Sequence, residues 1–430
     1  MNLELDQATK TAIEMIRALG KEYLRPLGME ADRLYRPIPA DHSFFQMLAE
    51  SGFMARGAAM GRDEDRENEA GAAGASSGQA KAASKPAAGS QQPAKKSGGK
   101  RTGNAVRGVI VSEEGAYWDR GAMVTLPGPG LGAPPVAKMG TPEQRERFLG
   151  IFNTRERPLW AAFAMTEPSA GSDVARIQMR ARKDGDEWIL TGQKMFSSNS
   201  ARAEWVVVFA TIDPELGRAG HRAFVVEKGM PGFEVLRIEA KMGVKAYETA
   251  SFALDDCRVP ADNLLGSEAY YSARANRGFG GAMETFNATR PVVAVHSIGI
   301  GRAAHDRARD FVAEEFPAHA ARRRRRALER LVGIRRRLEI GKLLCVHAAA
   351  VNDEGKPNGR EAAACKLYSP PAALAAIQVA AGIVGEAGVR HDQYLEKWAR
   401  DVKMLDIGEG TQQVQRRIVA RHLIGPDIAR

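Results

Sequence analysis

Cysteine is scarce in this chain. Cys257, Cys345 and Cys365 are scattered through 430 residues without metal-ligand spacing. That excludes a disulfide-stapled fold and a zinc-ribbon type of site. Free thiols, a reducing compartment, a cytoplasmic location and no metal site are therefore expected. The N-terminus, Met1-Asn2-Leu3-Glu4-Leu5-Asp6, has no apolar core of the signal-peptide kind. The longest apolar stretch, Pro371–Val384, contains Gln378 and is too short to cross a bilayer, so no membrane span is expected. Residues 62–105 have no aromatic side chain and consist mostly of Ala, Gly, Ser, Lys and Gln. Such a segment cannot offset its ordering entropy with buried apolar surface. It reads as a low-complexity insertion, disordered or loosely looped.

What is present suits a large soluble enzyme. Apolar residues make up 44%, enough for a sizeable core. At about 150 residues per domain, the length suggests two or three domains. The net charge is +10, much of it in Arg322–Arg326 and Arg335–Arg337. Basic runs attract polyanions, including nucleic acid, but they also serve as solvated helix faces.

The hydrophobic period divides the chain. Leu5, Ala12, Ile13, Ile16, Leu19 and Leu24 recur at helical spacing. From about residue 158 the pattern becomes short strands: Glu187–Leu190, Trp205–Thr211, Arg222–Glu227, Phe233–Ile238 and Ala250–Leu254. Lys183-Asp184-Gly185-Asp186 gives a hairpin turn before the first of these. After Pro260 the helical period returns. The expected domains are 1–157 (α-helical), 158–268 (β) and 269–430 (α-helical), an α+β chain.

The most informative segment is Asp401-Val-Lys-Met-Leu-Asp-Ile-Gly-Glu-Gly-Thr411. It sets Glu409 between two glycines just before a helical pattern that Thr411 can cap. A carboxylate on such a turn suits a general base, or simply a capped surface turn. Two further runs bear on the choice. They are Phe163-Ala-Met-Thr-Glu-Pro-Ser-Ala-Gly-Ser-Asp173 and Thr191-Gly-Gln-Lys-Met-Phe-Ser-Ser-Asn199.

Together the three segments resemble the acyl-CoA dehydrogenase family, over about residues 1–56 and 107–430. The resemblance implies an N-terminal α domain, a middle β barrel, a C-terminal four-helix bundle and bound FAD. It implies that Glu409 takes the α-proton of an acyl-CoA while the β-hydrogen leaves as hydride. Phe163, Met165, Thr166, Phe196, Ser197, Ser198, Thr411 and Gln413 correspond to flavin-contacting positions. Ser172 lies where the FAD pyrophosphate and the CoA arm meet. Asn287, Arg290 and Gly410 correspond to the substrate side. Thr289 occupies a position where some members carry the base instead. Electrons would pass to an electron-transfer flavoprotein.

Two segments depart from the family pattern. Glu315 stands where an arginine normally reaches a neighbour's FAD pyrophosphate. Gly382 and Glu386 replace a glutamine and a glycine that cradle the neighbour's ADP moiety. This one-sided loss suggests one subunit of a heteromeric complex, although a homo-oligomer is also compatible. Alternatives are a non-catalytic subunit and a nucleic-acid-binding relative, the latter unlikely.

Overall fold

A computed structural model describes residues 5–55, 103–273, 277–317 and 319–425. Residues 62–102 of the expected insertion lie outside them. Residues 103–105 do not belong to it: helix α4 already starts at Asn104. Its first amides at Ala105 and Val106 donate to the Asp353 carboxylate at 2.8 and 3.0 Å.

The N-terminal region is helical, as its period predicts. Helices α1 (Gln7–Leu19), α2 (Arg25–Leu34) and α3 (Ser43–Glu50) precede α4 (Asn104–Val124), α5 (Ala133–Met139) and α6 (Pro142–Gly150). Asp6 caps α1 by accepting from the Thr9 amide at 2.8 Å. Helix α4 breaks at Asp119, whose φ of −162° and ψ of 115° leave the helical region. Asp119 Oδ1 then accepts from the Ala122 amide at 2.8 Å, so the helix restarts at Arg120 with Asp119 as its cap.

The middle region holds strands β1 (Ala161–Ala164), β2 (Arg180–Asp184), β3 (Glu187–Ser198), β4 (Trp205–Thr211), β5 (His221–Glu227), β6 (Phe233–Ile238) and β7 (Thr249–Pro260). They form one seven-stranded sheet in the order β1-β4-β2-β3-β7-β6, with β5 on β4. Strands β3 and β7 run well beyond the expected Glu187–Leu190 and Ala250–Leu254. Strands β1 and β2 are additional to the expected set. Ala-Ala-Phe-Ala has little strand propensity, and the polar Arg-Ala-Arg-Lys-Asp offers no apolar face to read. Fully buried Val206, Val207, Phe209, Phe224 and Phe252 make the core of this domain.

The C-terminal region contains α7 (Ser267–Ser272), α8 (Arg277–Glu314), α9 (Ala321–Asp353), α10 (Gly359–Val384), α11 (Leu395–Ile407) and α12 (Gln412–Ile424). Small residues let α8 and α10 approach closely. A Cβ on Gly301 would lie 3.2 Å from Ala373 and 2.6 Å from Leu338. The apolar run at Pro371–Val384 belongs to a longer helical stretch, Gly359–Val389, which contains an 18-residue window of mean hydropathy 1.7. By length and composition alone that stretch could cross a membrane, contrary to the expectation. Its Ala362, Ala363, Ala373, Ala376 and Ala380 are nonetheless buried inside the bundle. All three cysteines are free and buried.

Three regions meet at one buried lysine. Lys397 of α11 donates to Asp119 and to Asp401, both at 2.6 Å, and is almost fully buried. Asp401 Oδ1 in turn accepts from the Val244 amide of the loop before β7. Next to it, Arg400 binds Asp32 of α2 at 2.6 and 2.8 Å. The charged residues ahead of Glu409 therefore bolt its helix to the rest of the molecule. Asp32, His391 and Glu396 gather ligand atoms within 4.8 Å of one another. Asp32 is already satisfied there by Arg400 and Lys245.

Candidate active site

Glu409 lies on the link between α11 and α12, in the left-handed region at φ 56°. Gly410 follows at φ 100°, and a Cβ there would meet Gln415 Nε2 at 2.4 Å. Only glycine fits that turn without strain or displacement of Gln415. Thr411 caps α12, accepting from the Val414 amide at 3.4 Å.

Side chains from three helices hold the turn. Thr289 Oγ1 of α8 donates to Glu409 Oε2 at 2.8 Å. Arg290 Nε donates to the Glu409 carbonyl at 3.2 Å, and its Nη1 to Asn287 at 2.7 Å. Gln415 Nε2 reaches the carbonyls of Glu409 and Gly410 at 3.3 and 3.1 Å. From α10, Lys366 Nζ donates to the Gly410 carbonyl at 3.3 Å. Pro370, four residues on, has no N–H for the Lys366 carbonyl. Gln412 Nε2 takes that acceptor at 3.2 Å. Lys366 thus grips the turn at both ends of the residue.

The Glu409 residue keeps partial exposure, but its carboxyl group is surrounded by protein. Burial pushes its pKa up. The Thr289 hydroxyl and the charges of Arg290, Lys366 and Arg120 pull it back without cancelling the rise. Burial likewise brings Lys366 down to about 8, opposed by Glu409 and Asp406. A carboxylate with a raised pKa, held at one oxygen and free at the other, can accept a proton.

The β-domain motifs come to the same place. The Phe163 ring lies 5.6 Å from Phe286 of α8, and the Arg290 guanidinium lies 5.7 Å from Phe286. A chain of contacts therefore runs from β1 to the Glu409 turn. The strand end at 163–166 is fixed from behind. Ser197 Oγ donates to the Phe163 carbonyl at 2.9 Å, the Met195 amide to the Thr166 carbonyl at 2.9 Å, and Lys194 Nζ to the Met165 carbonyl at 3.1 Å. Lys194 also pairs with Glu167 at 2.7 Å, both buried. Glu167 further accepts the amides of Gln178 and Met179. Burial lowers Lys194 to about 8 against the pull of Glu167.

The expected flavin-facing residues divide accordingly. A bulge between Lys194 and Ser197 accompanies a φ of 60° at Phe196, and the residue is 58% exposed. Phe163, Thr166 and Ser198 are partly exposed, and Ser172 is exposed. Accessible aromatic side chains together with the Thr166 and Ser198 hydroxyls suit a planar, polar-edged isoalloxazine ring. Two expectations need correction. The Met165 side chain is 2% exposed and sits in the β-domain core, so only its backbone can face a ligand. The Ser197 hydroxyl is buried and spent on Phe163, which makes it a support for the strand end. Gln413 is exposed, and it is Gln412 and Gln415 that face inward. Lys366 and Arg120 had no signal in the sequence, because each comes from a distant helix; Gln415 is six residues from Glu409, but only the fold shows that it turns back onto the carbonyls.

Two segments of the chain match family descriptions. Residues 162–257 match the acyl-CoA dehydrogenase middle domain, and 276–424 the acyl-CoA dehydrogenase C-terminal domain. Acryloyl-CoA reductase (NADH) of Anaerotignum propionicum is 36% identical over 298 residues, 67% of this chain and 72% of that protein. The mitochondrial short-chain specific acyl-CoA dehydrogenase of Bos taurus is 35% identical over 291 residues, 67% and 68% of the two chains. Butyryl-CoA dehydrogenase of Megasphaera elsdenii superposes with a TM-score of 0.79 at 26% identity, covering 99% of this chain and 100% of that one. The chain belongs to the acyl-CoA dehydrogenase family of FAD-dependent oxidoreductases.

Proposed function

We propose that this chain desaturates an acyl-CoA thioester between Cα and Cβ, with Glu409 as the base. The observation that carries this reading is the Glu409 carboxyl itself. It is raised in pKa by burial, held by Thr289, and linked through Arg290 and Phe286 to the Phe163 ring. Bound FAD supplies the acceptor for the hydride from Cβ. Phe163, Thr166, Phe196 and Ser198 would hold it, with Ser172, Thr411 and Gln413 toward its pyrophosphate and adenosine. Asn287 and Arg290 border the thioester side. Glu409 removes the α-proton, and its backbone N–H would stabilise the thioester oxygen as enolate charge develops. An electron-transfer flavoprotein would take up the electrons.

Anaerobic mixing of the FAD-loaded protein with acyl-CoA tests this. The flavin absorbance should bleach. The proton acceptor must be ionised, so the bleaching rate should rise with pH through a value above that of an ordinary glutamic acid, then level off. Absence of bleaching with every chain length tried would reject the reading.

The assembly is part of the same proposal. Glu315 pairs with Arg307 at 3.0 Å, yet remains half exposed. Glu386 and Arg322–Arg326 are exposed. Carboxylates where a neighbour's FAD diphosphate would rest oppose its retention. The chain alone should purify poor in flavin, and about one FAD per heterodimer should be retained with a partner that carries the family arginine and glutamine. Full occupancy in a pure homotetramer, measured by absorbance and mass, would overturn this. It would also mean that the Arg322–Arg326 run or backbone N–H groups replace the lost contacts.

A further inference from the structure

Two cations approach one buried tyrosine ring behind the end of β3. Tyr247, in the loop before β7, is 3% exposed. The Lys241 ammonium lies 3.4 Å from its ring centroid and the Arg120 guanidinium 5.6 Å. Among the described residues neither cation forms an ion pair. Arg120 is buried, and its Nε and Nη1 have no hydrogen-bond partner. Lys241 Nζ donates to Thr249 Oγ1 at 3.0 Å and to the Tyr247 carbonyl. Burial, Arg120 and Arg202 push the Lys241 pKa down against the pull of Asp401 and Glu248. Like charges set close together in a buried place are costly until negative charge joins them. The Tyr247 hydroxyl shares side-chain hydrogen bonds with Ser198 and Thr249. Those two residues are partners in the β3–β7 ladder. Ser198 is partly exposed and belongs to the group assigned above to the flavin.

An ammonium donates and never accepts. Thr249 Oγ1 therefore accepts from Lys241 and can pass its own hydrogen to Tyr247, which passes its own to Ser198. The polarity of this chain runs outward, and the Ser198 hydrogen is left for the bound group. Resting on the function proposed above, we infer that Lys241, Thr249 and Tyr247 aim the Ser198 hydroxyl as a donor at the flavin and, with Arg120 behind the ring, raise the potential at which it accepts electrons. Tyr247 is thus a positioning residue, acting through Ser198. Donors and cations fixed beside a flavin favour its electron-rich, reduced form without having to reorganise. The two electrons come with the hydride from Cβ, so a higher potential favours desaturation.

The midpoint potential of the FAD-loaded protein, read against a reference dye during dithionite reduction, tests this without substrate. Tyr247→Phe keeps the ring and removes the hydroxyl. It should move the equilibrium about tenfold toward oxidised flavin, ~30 mV more negative for a two-electron couple. Lys241→Met should shift it in the same direction, which covers the case in which the phenylalanine variant does not hold FAD. Lys241→Arg should keep most of the wild-type value. In a Ser198→Ala background the Tyr247→Phe shift should vanish, because the chain is already cut. Unchanged potentials in Tyr247→Phe and Lys241→Met, whatever their melting temperatures, would overturn the inference. So would a Tyr247→Phe shift that is undiminished without Ser198. Flavin bleaching by acyl-CoA that persists in Glu409→Gln would reject Glu409 as the base and leave the potentials decisive.

Discussion

Glu409→Gln should leave the fold and CoA-ester binding intact and slow flavin reduction by at least 10²–10⁴-fold, the usual share of a positioned general base. The amide is isosteric and can still accept from Thr289 Oγ1, so the turn need not move. The backbone carbonyls of residues 409 and 410 stay held by Arg290, Gln415 and Lys366. What disappears is the proton acceptor. Stopped-flow bleaching by acyl-CoA reads the effect, with circular dichroism as the check on folding. Near-native bleaching would require another carboxylate, and no other described carboxylate is shown bonded to Thr289.

Lys397→Met should be the most damaging substitution for stability. It leaves Asp119 and Asp401 buried and facing each other without their shared cation. Removing one partner of a buried ion group costs about 3–5 kcal/mol. The loss should appear as a lower denaturant midpoint. The triple change Asp119→Asn, Lys397→Met, Asp401→Asn should recover much of it, because no uncompensated charge then remains. A shift below about 1 kcal/mol for the single variant would show that water or a rearranged side chain reaches the two carboxylates.

The sequence discloses those parts of the site that are local. Glu409 between glycines, Thr411 as a cap and the run from Thr166 to Asp173 each carry their meaning within a dozen residues. The bulge at Phe196 arises where β3 meets β7, and the Glu167–Lys194 pair joins the segment after β1 to β3, so the sequence displayed the residues but not their partners. Arg120, Lys366 and Lys397 were not legible. Asp119 and Lys397 are separated by 278 positions, and no periodicity links them. The Pro370 signal was also silent, since a helix interruption matters here only through the carbonyl it hands to Gln412. Strands β1 and β2 escaped for a simpler reason, because their pairing partners and not their composition make them strands.

The lysine junction also limits how the gene can be cut. Lys397 takes one carboxylate from the first helical region, and the second carboxylate that it holds binds a β-domain amide. A fragment beginning at α8 would keep Glu409, Thr289 and Lys366 but lose both outside anchors. Its α11 would then carry a lysine and an aspartate with half their partners missing. Modular recombination of the middle or C-terminal region with a relative should therefore succeed only when residues 119, 244, 397 and 401 travel as a matched set.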